Sequence, residues 1–363
     1  MGTSPDQTLL TPHRMPAVDA LRLIAALMVL CFHYLFCGYS GTNTYSPLAF
    51  PALAPIAKYG FLGVHWFFMI SGLVIAYSSV GRAAPQFAAA RASRLLPGAW
   101  ASIIFLFLVF TFFPLSIFPT NLKILFANLT FIPQLFHAPM QSTSFWSIQT
   151  ELIFYILVGV LIAHNLWHRT LWIISVWLML SGINLVLHIK ILNYIFLTGY
   201  GSLFCLGMLL FHARQHGLHK PTIILMLLAL GVATIGLLQS RLAFVQHYKT
   251  TLDPIVLIVL LYGMFGLLFL CLHIRLSGKW QRVCYILGGI TYPLYLIHEA
   301  LGYRIFWALQ GMQIPAGTQF AITAITAIII ASLIWFFVEQ PLIPHLRVGL
   351  KNFFARFFTK NGF

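Results

Sequence analysis

The chain has 363 residues, 60% of them hydrophobic and only 7% charged, against roughly 25% charged in an ordinary soluble domain. It carries 21 Lys and Arg against six acids, a formal net charge of +15. So few charges cannot clothe a water-soluble surface of this size, which excludes a soluble enzyme, a disordered tail and a disulfide scaffold. What remains is an all-α, polytopic transmembrane bundle.

Taken in order, the apolar segments predict about ten spans, near 17–37, 60–80, 98–118, 145–163, 171–189, 193–212, 221–238, 252–273, 285–309 and 316–338. Each is close to the roughly 20 residues a crossing needs. The first run is long enough to span, so it is read as a helix and not as a cleavable signal peptide. The stretch 122–138, with Asn128 and Pro133 inside it, is too short to cross and reads as an interfacial or re-entrant piece. These spans make one membrane domain, 1–345. The segment 346–363 is basic and aromatic and reads as a cytoplasmic, surface-lying tail. No soluble domain is expected.

The bases give the orientation. With the N-terminus cytoplasmic, the inner segments hold 14 Lys and Arg, and the outer ones hold five: Lys58, Lys123, Lys190, Arg241 and Lys249. That bias puts both termini in the cytoplasm. The bases are scattered through short loops, so topology and anionic membrane lipid account for them and no nucleic-acid partner is expected. The five Cys lie in or at the ends of apolar runs without metal spacing, and no metal is expected.

Ionisable groups inside spans are costly and usually functional. In span one, Asp19 precedes Arg22 by three residues and can pair with it. Arg22 and His33 are eleven residues apart, close to three helical turns, so they share a face about 16 Å long. Ala26 and Val29 lie between them and would leave a groove. An interfacial Asp–Arg pair and a core His would give the same pattern. Span four brings Glu151 to the depth of His33, where a carboxylate could orient the imidazole and raise its basicity. Glu151 could equally cap its own helix. Span two carries His65, Ser71 and Gly72, the last two suited to close helix contact. Arg91 and Arg94 precede a span and either follow the charge bias or clamp phosphates. His298 lies near the depth of His33, beside Glu299. Glu339 ends span ten.

These motifs, in this order, resemble the integral-membrane acyltransferase family 3. Arg22 and His33 fill its Arg-x10-His element. Phe67, Phe68, Ser71 and Gly72 fill Phe-Phe-x-x-Ser-Gly, and Arg91, Arg94 and Pro97 fill Arg-x-x-Arg before a proline. Trp146, Ser147 and Glu151 fill Trp-Ser-x3-Glu. Tyr292, Tyr295, Leu296 and His298 fill Tyr-x-x-Tyr-Leu-x-His, and Glu339 and Pro341 close the set. The chain departs from many members in having His65 where they carry an acid or small polar residue, and in having Leu152 after Glu151. No esterase-like domain of the kind some members carry is expected.

The resemblance implies transfer of an acyl group, acetyl in the first instance, from cytoplasmic acyl-coenzyme A to a hydroxyl of a glycan or lipid-linked sugar at the bacterial inner membrane. His33 would be base or nucleophile, oriented by Glu151. Arg22 would belong both to the catalytic set and, with Arg91 and Arg94, to the donor-binding residues, with Ser71 a packing residue or a transient acyl carrier. A transporter of a sugar or acyl compound is the alternative, although the sequence has no inverted repeat to support it. A non-catalytic membrane sensor is a further rival, but it need not align Arg, His and Glu.

Overall fold

The computed structural model describes residues 15–360. Asp6, His13 and Arg14 lie outside them. The ten expected spans correspond to α1 (Pro16–Phe32), α2 (Leu62–Ser79), α3 (Ala84–Phe112), α4 (Trp146–Ala163), α5 (Thr170–Leu187), α6 (Gly201–His216), α7 (Lys220–Tyr248), α8 (Pro254–Cys271), α9 (Lys279–Leu309) and α10 (Ala316–Ile334). An eleventh helix, α11 (Gln340–Lys360), follows α10 through a π-turn over Trp335–Glu339. No strand occurs among the described residues. The chain is a polytopic helical membrane protein.

Nine segments among the described residues are long and apolar enough to cross a membrane, and α9 is not one of them. Its 31 residues are ample in length. They fall short in composition because α9 is the buried centre of the bundle and faces other helices more than lipid. It packs most heavily on α1 and α10, and Thr291, His298 and Glu299 are all buried on it.

Several boundaries differ from the sequence reading: α6 begins at Gly201 after a separate short helix over Lys190–Phe196, and α7 runs on to Tyr248, which puts Arg241 on the helix. The helix expected at 98–118 begins at Ala84, with Pro97 inside it, so Arg91 and Arg94 stand on α3 and not in a loop before it. The tail is helical and packs along α3. The stretch 122–138 splits into a helix over Leu122–Leu129 and a 3-10 turn over Pro133–Phe136.

Small residues set the tightest approaches. A side chain at Gly72 would strike the Phe204 carbonyl, and one at Gly207 would strike the Met69 carbonyl. The backbones of α2 and α6 therefore touch, and Gly72 of the Ser-Gly pair is accounted for by packing.

Candidate active site

Near its far end α1 gives way to a π-turn over His33–Cys37. The wider turn re-aims the side chains that follow, a device frequent at functional sites. Opposite stands α9. The Tyr34 hydroxyl donates to the His298 carbonyl at 2.7 Å, and the Tyr303 hydroxyl donates to the His33 carbonyl at 3.1 Å. These two phenols clamp the helices where the two histidines meet. His33 Nδ1 and His298 Nε2 are 2.8 Å apart.

The tautomers follow by elimination. His298 Nδ1 lies 2.8 Å from the Tyr295 carbonyl and 3.2 Å from that of Leu294. A carbonyl only accepts, so that nitrogen carries the proton. With His298 neutral, its Nε2 is then an acceptor, and His33 Nδ1 must donate to it. A neutral His33 is left with a lone pair on Nε2, which has no protein partner among the described residues. That is the form a general base needs.

Beside the pair lies Glu299, which is fully buried. Ser142 Oγ donates to it at 2.9 Å, the Ser144 amide at 2.8 Å and Ser144 Oγ at 2.7 Å, with a further bond from Thr143 Oγ1. Four donors at the start of the turn leading into α4 are a setting that favours an ionised carboxylate. The helix start that Glu151 might have capped is therefore served by Glu299. The donors are held in turn by Asn128, whose Oδ1 accepts the Gln141 amide at 3.0 Å and whose Nδ2 donates to the Pro139 carbonyl at 3.0 Å.

Two cavities meet at this point. One, of about 250 Å³, is lined by Arg22, Ser71, Arg91, Arg94, Glu151, Tyr155 and Arg347 toward one end of the bundle, and by Ser147 and Tyr295 further in. The other, of about 610 Å³, is lined by His33 and His65, by Trp146 and Tyr200, and by Asn184, His188, Asn193 and Arg241. Val64 and Tyr295 line both. The Tyr295 hydroxyl lies 2.7 Å from Ser147 Oγ, which donates to it.

The expected donor residues Arg22, Ser71, Arg91 and Arg94 thus share one cavity. Arg22 keeps Asp19 as its partner at 3.2 Å, and Arg94 is ion-paired with the fully buried Glu339. The shared face of α1 is divided, with Arg22 on the first cavity and His33 on the second. Ala26 is buried in the core and leaves no groove.

The expected His33–Glu151 pair is a correction. Glu151 accepts from Ser71 Oγ at 2.9 Å and from the Tyr155 hydroxyl at 2.5 Å. It faces α2 and the arginines, while His33 faces α9. Equal depth in the membrane did not make them neighbours, because α4 and α1 present these residues to different helices. Sequence reasoning passed over Glu299, although an acid directly after a mid-span histidine is itself an expensive and therefore informative feature.

A protein-family model described as an acyltransferase domain matches residues 15–338 of the chain. That range takes in both histidines, Glu299, Glu151 and the three arginines predicted to bind the donor. No curated protein and no solved structure matches the chain.

Proposed function

Since the chain belongs to acyltransferase family 3 and is a multi-pass membrane acyltransferase, we propose that it carries acetyl from acetyl-coenzyme A to a hydroxyl of a glycan or lipid-linked sugar. The single observation that carries the proposal is the lone pair on His33 Nε2, at the place where an arginine-lined cavity adjoins a polar, aromatic one.

The arginine-lined end suits a polyanionic donor. With the charge bias placing that end in the cytoplasm, the pantetheine arm runs past Ser71 and Tyr155 toward Tyr295. The acceptor enters the other cavity, where Trp146 and Tyr200 offer flat apolar faces to a sugar ring and Asn184, Asn193 and His188 offer hydrogen bonds.

Chemistry follows from the tautomers. His33 Nε2 takes the proton of the acceptor hydroxyl as its oxygen attacks the thioester carbonyl. The imidazolium that forms keeps its Nδ1–H on His298 Nε2 and is stabilised by the nearby Glu299 charge. As the carbon–sulfur bond breaks, the proton passes from Nε2 to the departing thiolate. The products are the ester and free coenzyme A. Tyr295 lines both cavities; its hydroxyl donates to the Ser144 carbonyl at 3.3 Å, and turning that proton to the substrate would let the phenol stabilise the oxyanion. Buried polar groups held by four donors cost no reorganisation during the step.

The test is direct. Purified protein in lipid vesicles is given radiolabelled acetyl-coenzyme A and extracted surface glycan, and label in the glycan is counted beside mass spectrometry of glycans from cells with and without the gene. Label transfer that depends on His33 supports the proposal. Transport of the glycan without its acetylation would overturn it.

A further inference from the structure

Arg347 stands on α11, beyond the residues that the family model matches. It nevertheless lines the cavity that holds Arg22, Arg91 and Arg94. Arg82, in the turn between α2 and α3, stands near it. Burial lowers the Arg82 guanidinium pKa below its ordinary value, and the Arg347 cation lowers it further. Arg22 and Arg94 have Asp19 and Glu339 as ion-pair partners. Among the described residues no carboxylate pairs with Arg82, Arg91 or Arg347, and the Arg91 Nε is buried with no partner. Glu151 lines the same cavity and partly offsets Arg91, but Arg82 and Arg347 have no such carboxylate beside them, and two like charges this close repel unless an anion joins them.

The order of these residues matters. Of the residues lining that cavity, Tyr295 is buried, Glu151 and Arg91 are half-buried and Arg347 is exposed, which orders them from the interior outward. On coenzyme A the pantetheine arm is followed by a diphosphate, and then by a ribose with its separate 3′-phosphate. A diphosphate at Arg91 and Arg22 would leave the 3′-phosphate one group further out. There Arg82 also borders a separate open cleft of about 960 Å³, lined by Trp167, Arg169, His212 and His216 and containing no acid, with room for a nucleoside.

We propose that Arg347 and Arg82 form the binding site for the ribose 3′-phosphate of the donor. The final helix is then part of the donor site. This rests on the acyl-coenzyme A reading above.

Steady-state kinetics with acetyl-coenzyme A and with its 3′-dephospho form test it. Wild-type protein should show a KM about tenfold lower for the phosphorylated donor, the effect of one charge-assisted contact. Arg347→Ala and Arg82→Ala should each raise the KM for acetyl-coenzyme A toward that of the dephospho donor. The KM for the dephospho donor should stay within about twofold, as should kcat. Arg347 is exposed, so loss of its side chain leaves the core intact. Arg347→Lys should restore part of the difference. If both variants discriminate the two donors as wild type does, or raise both KM values equally, the 3′-phosphate site is overturned. If wild type turns over neither donor, the acyl-coenzyme A reading fails and the inference falls with it.

Discussion

His33 Nδ1 and His298 Nε2 are 2.8 Å apart although 265 residues separate them in the chain. The relation is directional: His298 is locked as the acceptor by two backbone carbonyls. His33 is therefore presented with the lone pair of its Nε2 unshared, and among the described residues no carboxylate hydrogen-bonds to either ring.

His33→Ala should insert and fold, because one imidazole is a small part of a ten-helix bundle, and its glycan acetylation should fall by roughly 10²–10⁴-fold. Acetylation by vesicles containing equal amounts of folded variant and wild type is the measurement. Full activity would remove His33 from the chemistry.

His298 acts through His33 and is a positioning residue. His298→Phe keeps a ring in the space but removes the acceptor. Its kcat should fall by roughly 10²-fold, with the KM of donor and acceptor unchanged within about twofold. The double variant with His33→Ala should be scarcely slower than His33→Ala alone, because groups acting as a unit are non-additive. A rise in both KM values with kcat preserved would show that the ring only shapes the pocket.

Glu151 lines the arginine-rich cavity proposed for the donor. Glu151→Gln loses the charged acceptor for Ser71 Oγ and Tyr155 OH, so the donor KM should rise about tenfold while the acceptor KM stays unchanged. Ser71→Ala should produce a similar change, and the pair together little more. A pure kcat effect would return Glu151 to the reacting centre.

Arg91 and Arg94 should separate. Arg91→Lys keeps charge but loses the fork and should raise the donor KM. Arg94 instead answers a buried carboxylate. Glu339→Gln should lower the thermal stability, by less than the roughly 3–5 kcal/mol of a fully buried broken pair, since the Arg94 left without its partner is one-third exposed. Replacing both Arg94 and Glu339 with Leu should recover much of that loss without restoring activity.

The orientation is open to labelling. Single-cysteine variants in a cysteine-free background should react from outside the cell at residues 40–53 and be protected at 80–83. The reverse pattern would exchange the donor and acceptor sides.

Much of this was legible in the sequence. Hydropathy located the ten spans but not the helix α11, and Arg22, Arg91 and Arg94, expected to serve one ligand, line one cavity. The similar depth of His33 and His298 hinted at their meeting. What periodicity could not carry was rotation about each helix axis. Glu151 and His33 were at one level but faced different neighbours. The cradle of Glu299 comes from Ser142, Thr143 and Ser144 in a connecting segment pinned by Asn128, and no repeat of apolar residues reports where such a segment lies. Arg347 was hidden in a tail whose basic, aromatic composition suggested only a surface role.

The separation of the two histidines also bears on biosynthesis. His33 enters the membrane with the first helix and waits for His298 on the ninth. At about 5–20 residues per second, the 265 residues added from His33 up to and including His298 take between roughly 13 and 53 s to synthesise. Throughout that interval the nascent chain has an imidazole in the bilayer without its acceptor. On the proposed mechanism the base is poised only once the ninth helix has docked, so products truncated before it should be nearly inert instead of wastefully hydrolytic.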